Sequence, residues 1–123
     1  MTENYSEANY GIQKVEESNS QTGTTANAYA EAKRIDAKTL KEKMMVLTNT
    51  HATNVLKYKL EGYAAKYGVG QAFELVPETT LAGASEQALF TFQRLYACLV
   101  LSVKSSVTDT HATYQIDYIG ATI

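Results

Sequence analysis

The stretch VLTNTHATNVLKYKLEGY, residues 46–63, decides the fold because its second half alternates apolar and charged residues with a period of two. The apolar side of this extended segment consists of Leu56, Tyr58 and Leu60. Lys57 and Lys59 fall on the opposite side, which predicts a strand with one core face and one charged face. The polar run 48–54 before it is typical of a turn, so we interpret residues 46–63 as a hairpin with a long turn.

Composition limits the chain to one domain and favours strands. At 123 residues it can bury a sizeable core without a second domain. Nine tyrosines and no tryptophan favour strands over helical bundles. The net charge of −2 argues against a nucleic-acid binder, and no apolar run has the length of a membrane span or signal peptide. We therefore expect no nucleic-acid or membrane partner, and synthesis and folding in a cytoplasm.

Residues 29–45 are the most ambiguous part of the chain. Their Ala, Glu, Lys and Leu content favours a helix, yet the apolar residues form no clean helical stripe. Helix and strand both stay open here, with strands at 29–35 and 41–48 preferred. A further short strand at 72–76 is expected to end at Pro77, which cannot donate to a ladder.

The apolar run 87–105 predicts a central strand, at 95–103, that is buried on both faces. Cys98 lies within it and is expected to be a buried small hydrophobe. Alternation at 114–119 predicts the last strand. Together these segments predict an all-β fold, a single antiparallel, jelly-roll-like β-sandwich of about seven to eight strands at residues 29–123.

Residues 1–28 are predicted to form an extended polar N-terminal arm. They are rich in Ser, Thr, Asn, Gln and Glu, so alone they cannot bury enough apolar surface to offset the entropy of ordering. Either the arm folds along its own domain or it lies on a neighbouring subunit. If the arm lies on a neighbouring subunit, its anchors are Tyr5, Tyr10 and Ile12, and we name these three as partner-binding residues.

No residue pattern indicates catalysis, a metal or a cofactor. His51 and His111 lack a second ligand at the spacings that metal sites use, and no nucleophile elbow or phosphate-binding loop is present. We therefore expect both histidines in loops, and no enzyme. The face with Lys57 and Lys59 is either solvated or a docking edge for an acidic partner, and we name both lysines as candidate partner-binding residues.

Several segments resemble small β-sandwich virion proteins of tailed bacteriophages over residues 38–120. The matching segments are LTNT at 47–50, LKYKLEG at 56–62, LAG at 81–83, LVLSVKS at 99–105 and YQIDYIG at 114–120. The chain departs from this pattern at His51, where a turn glycine is usual, and by its lack of tryptophan.

The resemblance implies a non-enzymatic structural protein of a virion. The expected role is a capsid decoration, or cement, protein that binds the head surface as a homo-oligomer, with a trimer favoured. Its expected partners are the major capsid protein or other virion proteins, and its location is the virion, after synthesis in the host cytoplasm. A tail or neck component is the alternative within this class.

A carbohydrate-binding β-sandwich is the alternative outside this class. Such a module would use exposed tyrosines as sugar platforms, for which Tyr63, Tyr67 and Tyr96 are the candidates.

Overall fold

The computed structural model describes residues 14–36, 42–64, 71–92 and 98–122. The regular elements within these ranges are eight β-strands, and no helix long and apolar enough to cross a membrane occurs there. In chain order the strands are β1 (Lys14–Thr24), β2 (Ala30–Asp36), β3 (Glu42–Asn49), β4 (Leu56–Tyr63), β5 (Ala72–Leu81), β6 (Gln87–Phe92), β7 (Cys98–Ser105) and β8 (Thr113–Thr122).

The strands form two antiparallel four-stranded sheets. Sheet A has the order β1-β8-β3-β6, and sheet B has the order β2-β7-β4-β5. Every connection along the chain crosses from one sheet to the other except the one from β4 to β5, which are neighbours in sheet B. This is the jelly-roll arrangement of a β-sandwich. The predicted all-β, jelly-roll-like sandwich of seven to eight strands is confirmed.

The core lies between the sheets because alternate residues of each strand point inward. In β4 the buried positions are Leu56, Tyr58 and Leu60, as predicted, and Lys57 and Lys59 lie on the outer face. The Tyr58 ring meets Phe90 of sheet A edge-on, with centroids 5.5 Å apart, which joins the two layers. The central strand β7 is buried on both faces apart from Lys104, and it includes the buried thiol of Cys98.

The prediction of a hairpin at residues 46–63 is wrong. Both strands exist, but β3 pairs with β6 and β8 in sheet A, whereas β4 pairs with β5 and β7 in sheet B. The connection between them crosses the sandwich, and buried Asn49 fixes its start. The Asn49 side-chain amide donates to the carbonyl oxygens of Asn54 and Leu81, at 2.8 and 2.9 Å. A polar run of this length therefore makes a crossover and not a tight turn.

The predicted arm contains a strand of the sandwich itself. Residues 14–24 form β1, which pairs with β8 along its length, so the sandwich does not begin at residue 29. An edge strand gains its hydrogen bonds through the backbone, and the exposed face of sheet A tolerates the polar side chains of this segment. At Gly23 a side chain would collide with the Tyr114 ring, so glycine is required there. Residues 1–13 lie outside the described residues.

Three other predictions concern residues 29–45, 72–76 and 87–105. The strand preference for 29–45 is confirmed by β2 and β3. The strand at 72–76 does not end at Pro77 but continues to Leu81, because β5 is an edge strand and its register with β4 is irregular between Val76 and Thr79. The run 87–105 supplies two strands, β6 in sheet A and β7 in sheet B.

Candidate functional site

Three lysines gather on the outer face of sheet B because of the register between two central strands. Lys57 and Lys59 alternate with the core residues of β4. Lys104 of β7 lies directly opposite Lys57 in the antiparallel ladder, and Ser102 lies opposite Lys59. The two lysines predicted to bind a partner are therefore brought together, and a third cation from a distant part of the sequence joins them.

Tyr29 directly precedes β2, and its ring lies beside the ammonium groups of Lys59 and Lys104. The Lys59 ammonium is 4.6 Å from the centre of the Tyr29 ring, and the Lys104 ammonium is 5.2 Å from it. Both distances are within the range of cation–π attraction. The Tyr29 hydroxyl donates a 2.6 Å hydrogen bond to Oε2 of Glu78 on β5, whose Oε1 lies 3.8 Å from the Lys57 Nζ. We call these five residues the Tyr29 cluster.

The protonation states of the cluster follow from its contacts. Partial burial, followed by the hydrogen bond to Glu78 and that group's negative charge, raises the pKa of the Tyr29 hydroxyl. The same hydrogen bond, assisted by the charges of the three lysines, lowers the pKa of the Glu78 carboxyl. At neutral pH the phenol is thus a neutral donor and the carboxylate is ionised, which leaves two positive charges in excess.

The cluster brings three lysine ammonium groups and one carboxylate together on the outer face of sheet B. Its ring holds two flexible lysine side chains in place, which reduces the entropy that they lose when a partner binds. None of its members forms a nucleophile–base pair of the kind used in covalent catalysis. The same outer face also carries Glu61 of β4 and Glu74 of β5, which lie opposite each other in the ladder, so the excess of positive charge belongs to the cluster and not to the whole face.

The sequence missed three members of the cluster: Tyr29, Glu78 and Lys104. They come from three different strand regions that only the sheet order β2-β7-β4-β5 brings together. No local pattern in the sequence marks them. The other predicted partner-binding residues, Tyr5, Tyr10 and Ile12, lie outside the described residues.

The tyrosines proposed as a sugar platform are largely beyond the described ranges. Tyr63 is half-buried at the end of β4, and Tyr67 and Tyr96 lie outside the described residues. Tyr58 points into the core, on the face opposite Lys57 and Lys59, as the alternation predicted.

His51 organises the crossover between β3 and β4. Its Nδ1 accepts hydrogen bonds from the backbone N–H groups of Thr53 and Asn54, at 3.1 and 2.9 Å. The backbone N–H of His51 donates to the Asn49 side-chain oxygen. Because Nδ1 acts as an acceptor, the ring is the neutral tautomer with its proton on Nε2. His51 is therefore a turn residue, as expected.

His111 and Ser105 form a close pair that ties loops together. The Ser105 Oγ lies 2.8 Å from His111 Nδ1, a distance also found between catalytic serines and their bases. Ser105 is buried, however, and its Oγ also lies 2.8 Å from the Thr25 Oγ1, which accepts the Ala112 N–H. This chain of hydrogen bonds joins the β1–β2 connection to β7 and to the loop before β8.

The Tyr29 cluster is on sheet B. The outer face of sheet A has a depression lined in part by Met44, Asp117 and Ile119. Hydrogen bonds from Ser20 and Gln115 lower the pKa of the Asp117 carboxyl. Within the described ranges, no group of three or more His, Cys, Asp or Glu side chains could hold a metal ion.

Comparison with known proteins identifies the class of fold. No protein-family model and no curated protein matches the chain. Among solved structures, a chain from "Bacillus endospore appendages form a novel family of disulfide-linked pili" is similar, with a TM-score of 0.54 and 16% identity. The match covers 98% of this chain and 100% of that one.

Two further structures are similar. The Yersinia pseudotuberculosis-derived mitogen has a TM-score of 0.54 at 15% identity, over 87% of this chain and 86% of that one. A chain of the infectious bursal disease virus Gx strain has a TM-score of 0.40 at 8% identity, covering 89% of this chain and 31% of that one, which is too low to bear on function. At these identities the likenesses establish the β-sandwich fold alone.

Proposed function

We propose that this protein is a non-enzymatic structural protein of a phage virion, a decoration protein that docks on the capsid surface through the Tyr29 cluster. The observation that supports the proposal is the pre-ordered Tyr29 cluster on sheet B, in which three lysines accompany one carboxylate. A capsid surface with acidic groups at the docking position would fit this cluster by charge. Copies that bind side by side on a symmetric particle gain avidity from weak individual contacts.

The geometry of the cluster suits a docking role. Lys59 and Lys104 are held against the Tyr29 ring, and Lys57 lies near Glu78, so the face is organised before a partner arrives. Exposed charges of this kind speed association and fix orientation more than they add affinity. Binding should therefore weaken as salt rises, since the Debye length shortens to roughly 8 Å at physiological ionic strength.

The N-terminal residues supply a second proposed contact. Tyr5, Tyr10 and Ile12 precede β1, and in the proposed assembly they anchor on a neighbouring subunit or on the capsid protein. Contacts that this segment makes only with a neighbour would suit a protein that must attach only to a finished particle.

A pilus subunit is the second candidate. It is favoured by the similarity that spans this whole chain and the whole of a Bacillus endospore appendage chain. Both candidates are structural roles outside the cell's interior, and they differ in the assembly that carries the protein.

Co-sedimentation with purified virions tests the docking proposal. We expect the chain to pellet with virions at low salt, and the variant Lys57→Gln/Lys59→Gln/Lys104→Gln to bind about tenfold more weakly, from three exposed contacts of about 0.5 kcal/mol each. A single-charge comparison sharpens the test. Lys59→Gln should weaken binding, whereas Lys33→Gln should not, because Lys33 bonds Asn19 and lies over Tyr118 instead. Equal binding of all variants, or no pelleting of the unmodified chain with virions at low salt, would refute capsid docking by this face.

A further inference from the structure

The edge strand β6 differs from the other three edges of the sandwich. Its pairing with β3 is regular throughout, and its sequence QALFTF contains no charge and no proline. The ladder of β1 is interrupted between Val15 and Glu17, that of β2 between Glu31 and Lys33, and that of β5 around Pro77. Bulges, charges and prolines are the devices that protect edges from pairing with other chains. Among the described strands, β6 alone lacks them.

Within the described residues no strand pairs with the outer side of β6, and the backbone groups on that side can be assigned from the ladder. The Asn49 N–H donates to the Glu86 carbonyl at 3.0 Å, which marks a hydrogen-bonded position next to the start of β6. Because such positions alternate in an antiparallel pair, residues 88, 90 and 92 bond to β3. The N–H and C=O groups of Gln87, Leu89 and Thr91 therefore point away from β3, toward the side of β6 on which the described part of the chain has no strand.

The side chains at these positions are also exposed. Leu89 is 62% exposed, the highest value among the large apolar side chains that the structure describes as exposed. It lies opposite Val46 of β3, so these two residues form a short apolar row at the β6 edge of the outer face of sheet A, and Asp117 of β8 lies on the other side of Val46.

We propose that β6 pairs in antiparallel orientation with β6 of a second copy, about a twofold axis at Leu89. The strand is complementary to itself in this register. Leu89 faces Leu89 of the partner, and Gln87 faces Thr91 of the partner, so no like charges meet. Gln87, Leu89 and Thr91 all direct their backbone N–H and C=O groups toward the second copy. The three residue pairs therefore exchange two backbone hydrogen bonds each, about six in total.

This pairing joins two copies of sheet A into one eight-stranded sheet. The apolar row continues across the axis from Val46 and Leu89 to the same residues of the partner. Because a twofold contact closes on itself, the smallest assembly is a dimer and not the trimer that the resemblance implies. The contact leaves the outer face of sheet B, with the Tyr29 cluster, uncovered in both copies. It does not depend on where the protein is located, so it can be tested apart from virion docking.

Cysteine cross-linking tests the pairing most sharply. Hydrogen-bonded residues across an antiparallel pair have Cα atoms about 5.5 Å apart, within the range that a disulfide spans. We expect Leu89→Cys to form a covalent dimer under mild oxidation, with little background because Cys98 is buried. Val107→Cys is the matched control, since Val107 is 59% exposed and lies in the β7–β8 loop. If Leu89→Cys cross-links no faster than Val107→Cys, the proposal is wrong.

Mass measurement and amide exchange complete the test on the full chain. By light scattering, the unmodified protein should have twice the mass of one chain, and Leu89→Lys should reduce it to one chain, while Val107→Lys should not. Thermal melting of each variant checks that it is folded. Slow exchange of the Gln87, Leu89 and Thr91 amides should be lost in Leu89→Lys. A monomeric unmodified protein, a dimeric Leu89→Lys, or fast exchange at these amides in the dimer would each overturn the β6 contact.

Discussion

The Tyr29 hydroxyl reaches the Glu78 carboxylate across the outer face of sheet B, with a hydrogen bond of 2.6 Å between residues 49 apart in sequence. This bond is the largest contribution that lowers the pKa of Glu78. In Tyr29→Phe the ring stays over Lys59 and Lys104 but the donor is lost. We expect the pKa of Glu78 to rise toward its usual value, measured by NMR titration of its side-chain carbonyl. An unchanged titration would contradict the assigned cause.

The stability of the protein should depend on pH through the Glu78 carboxylate. The folded pKa of Glu78 lies below its unfolded value of about 4.3, so its contribution is present above that pH and is lost as pH falls through the folded pKa. We expect Glu78→Gln to have a lower urea midpoint than the unmodified protein at pH 6, and the two midpoints to converge as the pH falls below the folded pKa of Glu78. A difference that stays constant across this range would show that ionisation of Glu78 does not contribute.

Asn49 should be the most sensitive polar residue of the crossover. Asn49→Ala removes the donor to two carbonyl oxygens and the acceptor of the His51 N–H in a buried site. We expect a loss of about 3 kcal/mol in the free energy of unfolding. Asn54→Ala is the control, because the Asn54 amide makes an exposed bond to the His111 carbonyl and should cost about 1 kcal/mol or less. Equal losses in urea unfolding would contradict this ranking.

Adjacent residues in the β5–β6 turn should respond in opposite directions. A Cβ at Gly83 would lie 2.7 Å from the His51 carbonyl oxygen and 3.0 Å from Thr53 backbone atoms, so Gly83→Ala should destabilise the protein by about 1–3 kcal/mol. Ala84 has a φ of 62°, in the left-handed region, so Ala84→Gly should stabilise it by up to about 1 kcal/mol. Thermal unfolding of both variants checks the signs, and a shift in the same direction would contradict the turn geometry.

The sequence predicts the faces of strands better than their partners. Leu56, Tyr58 and Leu60 were assigned to the core correctly because alternation is a property of neighbouring residues. The choice of partner strand depends on distant residues, so β3 and β4 were joined as a hairpin although they belong to different sheets. The one local warning was the length of the polar run between them.

Strand β1 shows a second reason for failure. Its side chains are mostly polar, so hydrophobic patterning could not distinguish it from an arm, and its stability comes from backbone pairing with β8. The candidate site follows the same logic. Lys57 and Lys59 could be predicted as a charged face, but the contribution of Tyr29 and Glu78 depends on the order of strands in sheet B.

The location of the protein in its native setting is the decisive measurement. Antibodies raised against the recombinant chain can be applied, with gold labels, to virions and surface filaments purified from the source. We expect gold on the heads of virions, repeated over the capsid surface, and no label on filaments. Gold confined to filaments, or protein found only in the unassembled fraction, would contradict a role in decorating the capsid.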